Sequence, residues 1–372
     1  MEKEYKIYVG GEWISTGIEL EVRNPYSGEI CSRVSLAGHV QAEEAVRRAY
    51  TGFELTRRLS SSVRSRTLQE IANRIIREKE KFIEALVAEG GKTLRDDRDE
   101  LARAVFTFRA ASDAVLNLST AVNPADVTRA GEGVMAFSRR FPVGPVLGIT
   151  SFNFPLNSLA IKAAPAIASG NPGILCPHLE TPVTALLFAE IVAALDYPAG
   201  GLSVLPCREE ELFWLVENDQ LKVLSYSGDS ELGWRIKARS GRKKVLLQMS
   251  GLGVAVVNHD ADLEYAASCC VTGAFENAGQ LNTSLQHILV HEDVFYQFLG
   301  KFIKKTNQLK TGDPRDPATE VGPVINEAAA ARIEQWITNA VGQGADMVAG
   351  GSRDGTLVQP TVFLQATGDM LI

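Results

Sequence analysis

The chain has 372 residues, 45% of them hydrophobic and 22% charged, with a formal net charge of −7. This composition excludes disordered and collagen-like classes, and the length calls for two domains rather than one core. The acidic balance and the short basic runs at 239–244 and 301–305, read as solvated helix faces and loop ends, exclude a nucleic-acid footprint.

Residues 5–34 are expected as short strands, broken at Gly10-Gly11 and at Asn24-Pro25-Tyr26-Ser27-Gly28. From 41 to 88 the apolar period lengthens. Leu68, Ile71, Ile75, Ile76, Phe82, Ile83 and Leu86 recur at helical spacing, and Gly90-Gly91 is a stop. A further helix over 95–118 precedes a turn-rich segment at 123–133 and an alternating ribbon strand at 134–141. Short apolar runs then recur at 146–150, 173–176, 202–205, 222–226 and 245–249, with helix-like stretches at 156–168 and 182–195. Strands alternating with helices predict a parallel sheet covered on both faces, with its ligand at the carboxyl ends of the strands. After Gly251 a second unit is expected, with strands at 254–257, 288–291, 347–348 and 361–364 and helices at 263–275, 294–309 and 326–341.

No stretch approaches the roughly 18 apolar residues of a membrane span, and the charged start Met1-Glu2-Lys3-Glu4 carries no signal-peptide pattern. The five cysteines, Cys31, Cys176, Cys207, Cys269 and Cys270, show neither metal-ligand spacing nor a disulfide framework. A cytoplasmic protein without a metal site is expected.

No single local motif is decisive: there is no GxGxxG, Walker loop or HExxH. The specific signal is an ordered series. It runs through Asn24-Pro-Tyr-Ser-Gly-Glu29, Gly91-Lys-Thr93, Pro142-Val-Gly-Pro-Val146, Phe152-Asn-Phe-Pro-Leu-Asn157 and Ala163-Ala-Pro-Ala-Ile-Ala-Ser-Gly-Asn-Pro172. It continues with Ser225-Tyr-Ser-Gly-Asp-Ser-Glu-Leu-Gly233, Gln248-Met-Ser-Gly251 and Ala278-Gly-Gln-Leu-Asn-Thr-Ser-Leu-Gln286. Gly312-Asp-Pro314, Val321-Gly-Pro-Val-Ile325 and Gln359-Pro-Thr-Val362 complete it. In this order the chain resembles the aldehyde dehydrogenase superfamily, and most the lactaldehyde and non-phosphorylating glyceraldehyde-3-phosphate dehydrogenase branch.

The resemblance implies an α/β fold with two α/β domains, parallel sheets and a protruding β-ribbon. Residues 1–122 and 142–251 would form the cofactor-type, Rossmann-like domain, 123–141 the oligomerisation ribbon, and 252–372 a shortened catalytic-type domain. Family members run on beyond the segment Gly368-Asp-Met-Leu-Ile372, so the second domain is expected to be incomplete. A homo-oligomer or a partner subunit is implied; nucleic acid and membrane are not.

In the family a cysteine thiolate attacks the aldehyde, an asparagine steadies the oxyanion, hydride passes to NAD or NADP, and a glutamate activates water. Carried over residue by residue, the nucleophile falls on Asn282 and the base on Gln248. A carboxamide is neither a useful nucleophile nor a proton acceptor near neutral pH. Asn153 falls on the oxyanion position, and it serves equally as a turn-stabilising residue before Phe154-Pro155. Cys270 lies about 18 Å of helical rise before Asn282, so buried packing is expected for it. Thr283 and Ser284 lie close but lack an evident base.

The cofactor positions fall on Thr150, Ser151, Cys176, Ser227, Gly228 and Asp229. Cys176 replaces a lysine, Leu179 stands three residues on, and Pro206-Cys207-Arg208-Glu209 replaces a glycine-rich turn. Asp229 replaces a serine at a helix start beside the pyrophosphate. At ~4 Å its carboxylate would repel a phosphate by about 4 kcal/mol. The expectation is therefore a homologue that has lost catalysis, carries no cofactor, and acts as a binding, scaffold or regulatory subunit. The alternative is an NAD(P)-dependent oxidoreductase that uses atypical residues to turn a small aldehyde into a carboxylic acid.

Overall fold

The computed structural model describes residues 3–118, 120–368 and 370. Met1, Glu2, Ser119 and, at the chain end, Asp369, Leu371 and Ile372 lie outside them. The N-terminal strands are β1 (Lys3–Tyr5), β2 (Ile7–Val9), β3 (Glu12–Ile14), β4 (Glu19–Arg23) and β5 (Ile30–Ser35). Four helices follow: α1 (His39–Thr56), α2 (Ser61–Arg77), α3 (Lys79–Gly90) and α4 (Leu94–Leu116). Ser60 caps α2 by accepting from the Val63 amide, and Thr93 caps α4 by accepting from Asp96. Between them Gly91 ends α3 at φ 66°, a left-handed turn that favours glycine. The ribbon strands β6 (Ala121–Pro124) and β7 (Met135–Ser138) pair antiparallel, with Val122, Met135 and Phe137 exposed.

The alternating region then lays down β8 (Val146–Ile149), α5 (Pro155–Ala168), β9 (Gly173–Cys176), α6 (Val183–Ala193) and β10 (Leu202–Val204). It ends with α7 (Glu209–Glu217), β11 (Val223–Gly228), α8 (Ser230–Arg239) and β12 (Lys244–Met249). These strands form a sheet of order β12-β11-β8-β9-β10-β2-β3, parallel from β12 to β10. Period-two alternation sends Leu175 to one core, with α2 to α6, and Ile174 and Cys176 to the other, with α1, α7 and α8. Both faces are therefore covered over β8, β9 and β10, whereas the edge strand β12 leaves Leu246 exposed.

Two buried carboxylates lock the helices behind this sheet. Glu100 of α4 accepts from the amides of Leu156 (2.8 Å) and Asn157 (3.0 Å) at the start of α5. Glu89 of α3 accepts from Val183 and Thr184 at the start of α6. Each satisfies helix-end donors and meets the positive end of a helix dipole. Lys92, itself buried, pairs with Glu100 and lies 3.7 Å from Asp97.

Beyond the first sheet come β13 (Gly253–Val257), α9 (Leu263–Phe275), β14 (Leu285–Val290), α10 (Phe295–Thr306) and α11 (Glu327–Gly342). Short strands β15 (Asp346–Ala349), β16 (Arg353–Asp354), β17 (Leu357–Val358) and β18 (Val362–Leu364) close the described chain. β13 and β14 pair in parallel, and a separate core of Val257, Ala267, Cys270, Val271, Phe298 and Phe302 lies on one side of them. Several details differ from the sequence expectation: β6 takes residues 121–124 at the edge of the turn-rich segment, and α7 and α8 fill stretches where no helix was expected. β14 begins three residues earlier than 288, and the β16–β17 hairpin has no apolar alternation to announce it.

Candidate functional site

The site forms where β8, β11 and β12 end side by side. Register places Tyr226 beside Ile149, and Ser227 beside Gln248. Thr150, buried, follows β8 and donates its amide to the Cys176 carbonyl at 3.0 Å. The carboxyl ends of three parallel strands thus bring together Thr150, Ser151, Ser227, Gly228 and Gln248.

A residue that sequence reasoning missed joins them from α5. Lys162, 3% exposed, reaches Ser227 Oγ with its Nζ at 2.6 Å, and Ser158 carbonyl and Oγ at 3.3 Å each. Ser227 in turn donates to Gln248 Oε1 at 3.0 Å, and Ser151 donates its amide to Ser158 Oγ at 3.2 Å. Burial pushes the Lys162 ammonium down to about 7. Gly148 makes room for the lysine stem: a Cβ there would lie 3.1 Å from Lys162 Cβ and 2.8 Å from Leu175 Cδ2. The available signal was the single charged residue of α5, a mostly apolar helix.

Asn282 stands on a loop of constrained backbone. Asn277, Ala278 and Gly279 adopt φ of 50°, 54° and 75°, three successive left-handed residues. Side-chain amides hold the turn in place. Asn153 Nδ2 donates to the Gln280 carbonyl at 2.7 Å, Gln280 Nε2 donates to Asn277, and Gln280 Oε1 accepts from the Ile325 amide at 2.9 Å. The Asn282 carbonyl accepts from Gly251, two residues past β12. Asn153 thereby ties the start of α5 to this loop, and Asn282 is half-buried beside the end of β12.

The thiols stand apart from this arrangement. Cys270 is buried in the second core with Phe298 and Phe302, whereas Cys269 is exposed on α9. α9 ends at Phe275, so the chain from Cys270 to Asn282 is not one continuous helix. Ser284 is buried and donates to the Ala274 carbonyl at 3.4 Å. Among the described residues no cluster of His, Cys, Asp and Glu has the make-up of a metal site.

At the cofactor positions, Cys176 ends β9 in the core, and its thiol is pushed well up by Cys207 and by burial. Asp229 caps α8, its Oδ1 accepting from the Leu232 amide at 2.9 Å. The Tyr226 hydroxyl donates to the Asp229 carbonyl at 2.9 Å, and burial together with Asp229 raises its pKa. The N-terminus of α8 is therefore already matched by a carboxylate of the chain itself. A buried thiol thus stands at 176, where the resemblance puts a lysine, and a carboxylate at 229, where it puts a serine beside the pyrophosphate.

A strand-ended parallel sheet with a clamped, left-handed loop facing it defines a class. A model described as the aldehyde dehydrogenase family matches residues 13–372, and the chain belongs to that family. It is 35% identical over 371 residues to a 3-sulfolactaldehyde dehydrogenase of Priestia aryabhattai, spanning 100% of this chain and 77% of that one. It is 33% identical over 362 residues to a lactaldehyde dehydrogenase of Methanocaldococcus jannaschii, spanning 96% and 77%. The solved glyceraldehyde-3-phosphate dehydrogenase GapN of Methanocaldococcus jannaschii, complexed with NADP, superposes with a TM-score of 0.89. That likeness is at 33% identity and covers 94% of this chain and 76% of that one. No helix among the described residues is long and apolar enough to cross a membrane.

Proposed function

We propose that this chain is an aldehyde dehydrogenase homologue that retains the family's site framework without its thiolate oxidation chemistry, serving as a binding, scaffold or regulatory subunit. One observation carries this reading. The Asn277–Gly279 turn, its Asn153 clamp and the β11–β12 register are built, yet they present the carboxamides Asn282 and Gln248. An amide nitrogen delocalises its lone pair into its carbonyl, and an amide oxygen is too weak a base to take a proton from water. The related enzymes act, by name, on 3-sulfolactaldehyde and lactaldehyde, which supports a small hydroxyaldehyde or its acid as the ligand. The exposed apolar ribbon supports assembly with a second copy or a partner subunit.

A second reading is NAD(P)-dependent oxidation of a small aldehyde to a carboxylic acid through atypical residues. The dehydrogenase names of the relatives and the NADP complex of the solved neighbour favour it. Nicotinamide reduction with lactaldehyde, 3-sulfolactaldehyde and glyceraldehyde 3-phosphate, alongside calorimetric titration with NAD and NADP, separates the two. The expected outcome is no reduction above the protein-free rate and no nucleotide binding at micromolar concentration. Turnover that disappears in Asn282→Ala or Gln248→Ala would establish the second reading instead.

A further inference from the structure

We propose that the cavity between the start of α4, α9 and the end of α10 binds a small apolar α-amino acid as its zwitterion. The cavity holds about 240 Å³, and none of Asn153, Gln248 and Asn282 lines it. This binding therefore stands or falls separately from the reading above.

An unmatched carboxylate carries the inference. Asp96, in the first turn of α4, lines the cavity and is 7% exposed. Its Oδ2 has no hydrogen-bond partner among the described residues. A buried carboxylate oxygen without a donor costs free energy that a bound ammonium recovers. Glu276 lines the same cavity, and Arg103 holds it only loosely, at 3.4 Å. Burial pushes the Asp96 carboxyl up, Lys92 offsets part of the rise, and the Glu276 carboxylate adds to it. Two desolvated acids that repel one another call for a positive group beside them. No cluster among the described residues has the make-up of a metal site, so the cation that fits is an organic ammonium.

The partner for a ligand's anion lies one residue away. Arg95 lines the cavity, is exposed, and forms no ion pair among the described residues. The remaining charges are engaged: Lys305 pairs with Glu264 at 2.6 Å, and Glu320 accepts from the Lys310 amide at 3.2 Å. A guanidinium suits a carboxylate because it offers paired N–H donors. An α-amino acid carries its ammonium and carboxylate one carbon apart, so neighbouring residues of α4 can meet both. Val271, Phe275 and Leu309 supply an apolar wall for a short side chain.

The test is calorimetric titration of the intact chain with L-valine, isobutylamine and 3-methylbutanoate. The last two are valine without its carboxylate and valine without its ammonium. Valine is expected to bind at least about 10-fold more tightly than either. Asp96→Asn and Arg95→Gln are each expected to weaken valine binding about 10-fold or more, whereas Asn282→Ala leaves it unchanged. The comparison of the three ligands on the unaltered chain requires no variant to fold. No heat with millimolar valine, equally tight binding of isobutylamine, undiminished binding by Asp96→Asn, or weakening by Asn282→Ala would overturn the proposal.

Discussion

Strands β9 and β13 are both short, apolar and parallel, yet they live in different surroundings. All four residues of β9 are buried, between α5 and α6 on one face and α1 and α7 on the other. In β13, Ala255 and Val257 turn toward α9 and α10, while Val254 and Val256 remain 56% and 75% exposed. Leu289 on β14 continues the bare stripe at 59% exposure. A continuous apolar run therefore signals a strand with two faces to cover, but neighbours decide whether both are covered. The helices around β9 add the buried carboxylates Glu89 and Glu100, which pin helix starts, whereas the carboxylate that caps α9, Asp262, is not buried.

Glu100→Ala is the strongest probe of that contrast. It would leave Lys92 buried without its main partner and uncap α5, and a cost of about 3–5 kcal/mol is expected in urea unfolding. A loss under about 1 kcal/mol would mean that the carboxylate lock does not hold the first unit together. Next, Phe302→Ala opens the smaller core, at a cost of about 3 kcal/mol. Hydrogen exchange should lose protection in β13, β14, α9 and α10 while β8, β9 and β11 keep theirs; equal loss in both units would erase the distinction.

Lys162 sharpens the comparison through pH. Its folded pKa lies near 7, below the usual lysine value of 10.5, so above pH 7 the unfolded chain binds more protons than the folded one. Stability relative to Lys162→Met should therefore rise from pH 7 to pH 9 by roughly 2 kcal/mol. A flat difference would show that the amine is hydrated and not desolvated in the first unit. The smallest effect is expected for Val256→Lys on the bare face. Unfolding should change by less than about 0.5 kcal/mol, with improved solubility. A loss of several kcal/mol would reveal that this face is covered in solution.

Most elements were legible as patterns. Residues 173–176 and 263–275 coincide with β9 and α9, because apolar periodicity and turn residues mark their ends locally. The β16–β17 hairpin was not legible, since a pair of two-residue strands is too short to show a period. At the candidate site, the carboxamides of Asn282 and Gln248 could be read directly, as could the anion that Asp229 brings to a helix start. The tie between the loop and Asn153 could not, because the hydrogen bonds from Gln280 and Asn277 to it cross more than 120 positions.

The order of residues alone determined the family frame, the alternation of strands and helices, and which chemical groups stand at positions 248 and 282. Only the tertiary structure decided that Lys162 meets Ser227 across 65 positions and loses its hydration there. A side chain's identity is covalent and local. Its protonation depends on every group packed around it, and the folded chain alone assembles those groups.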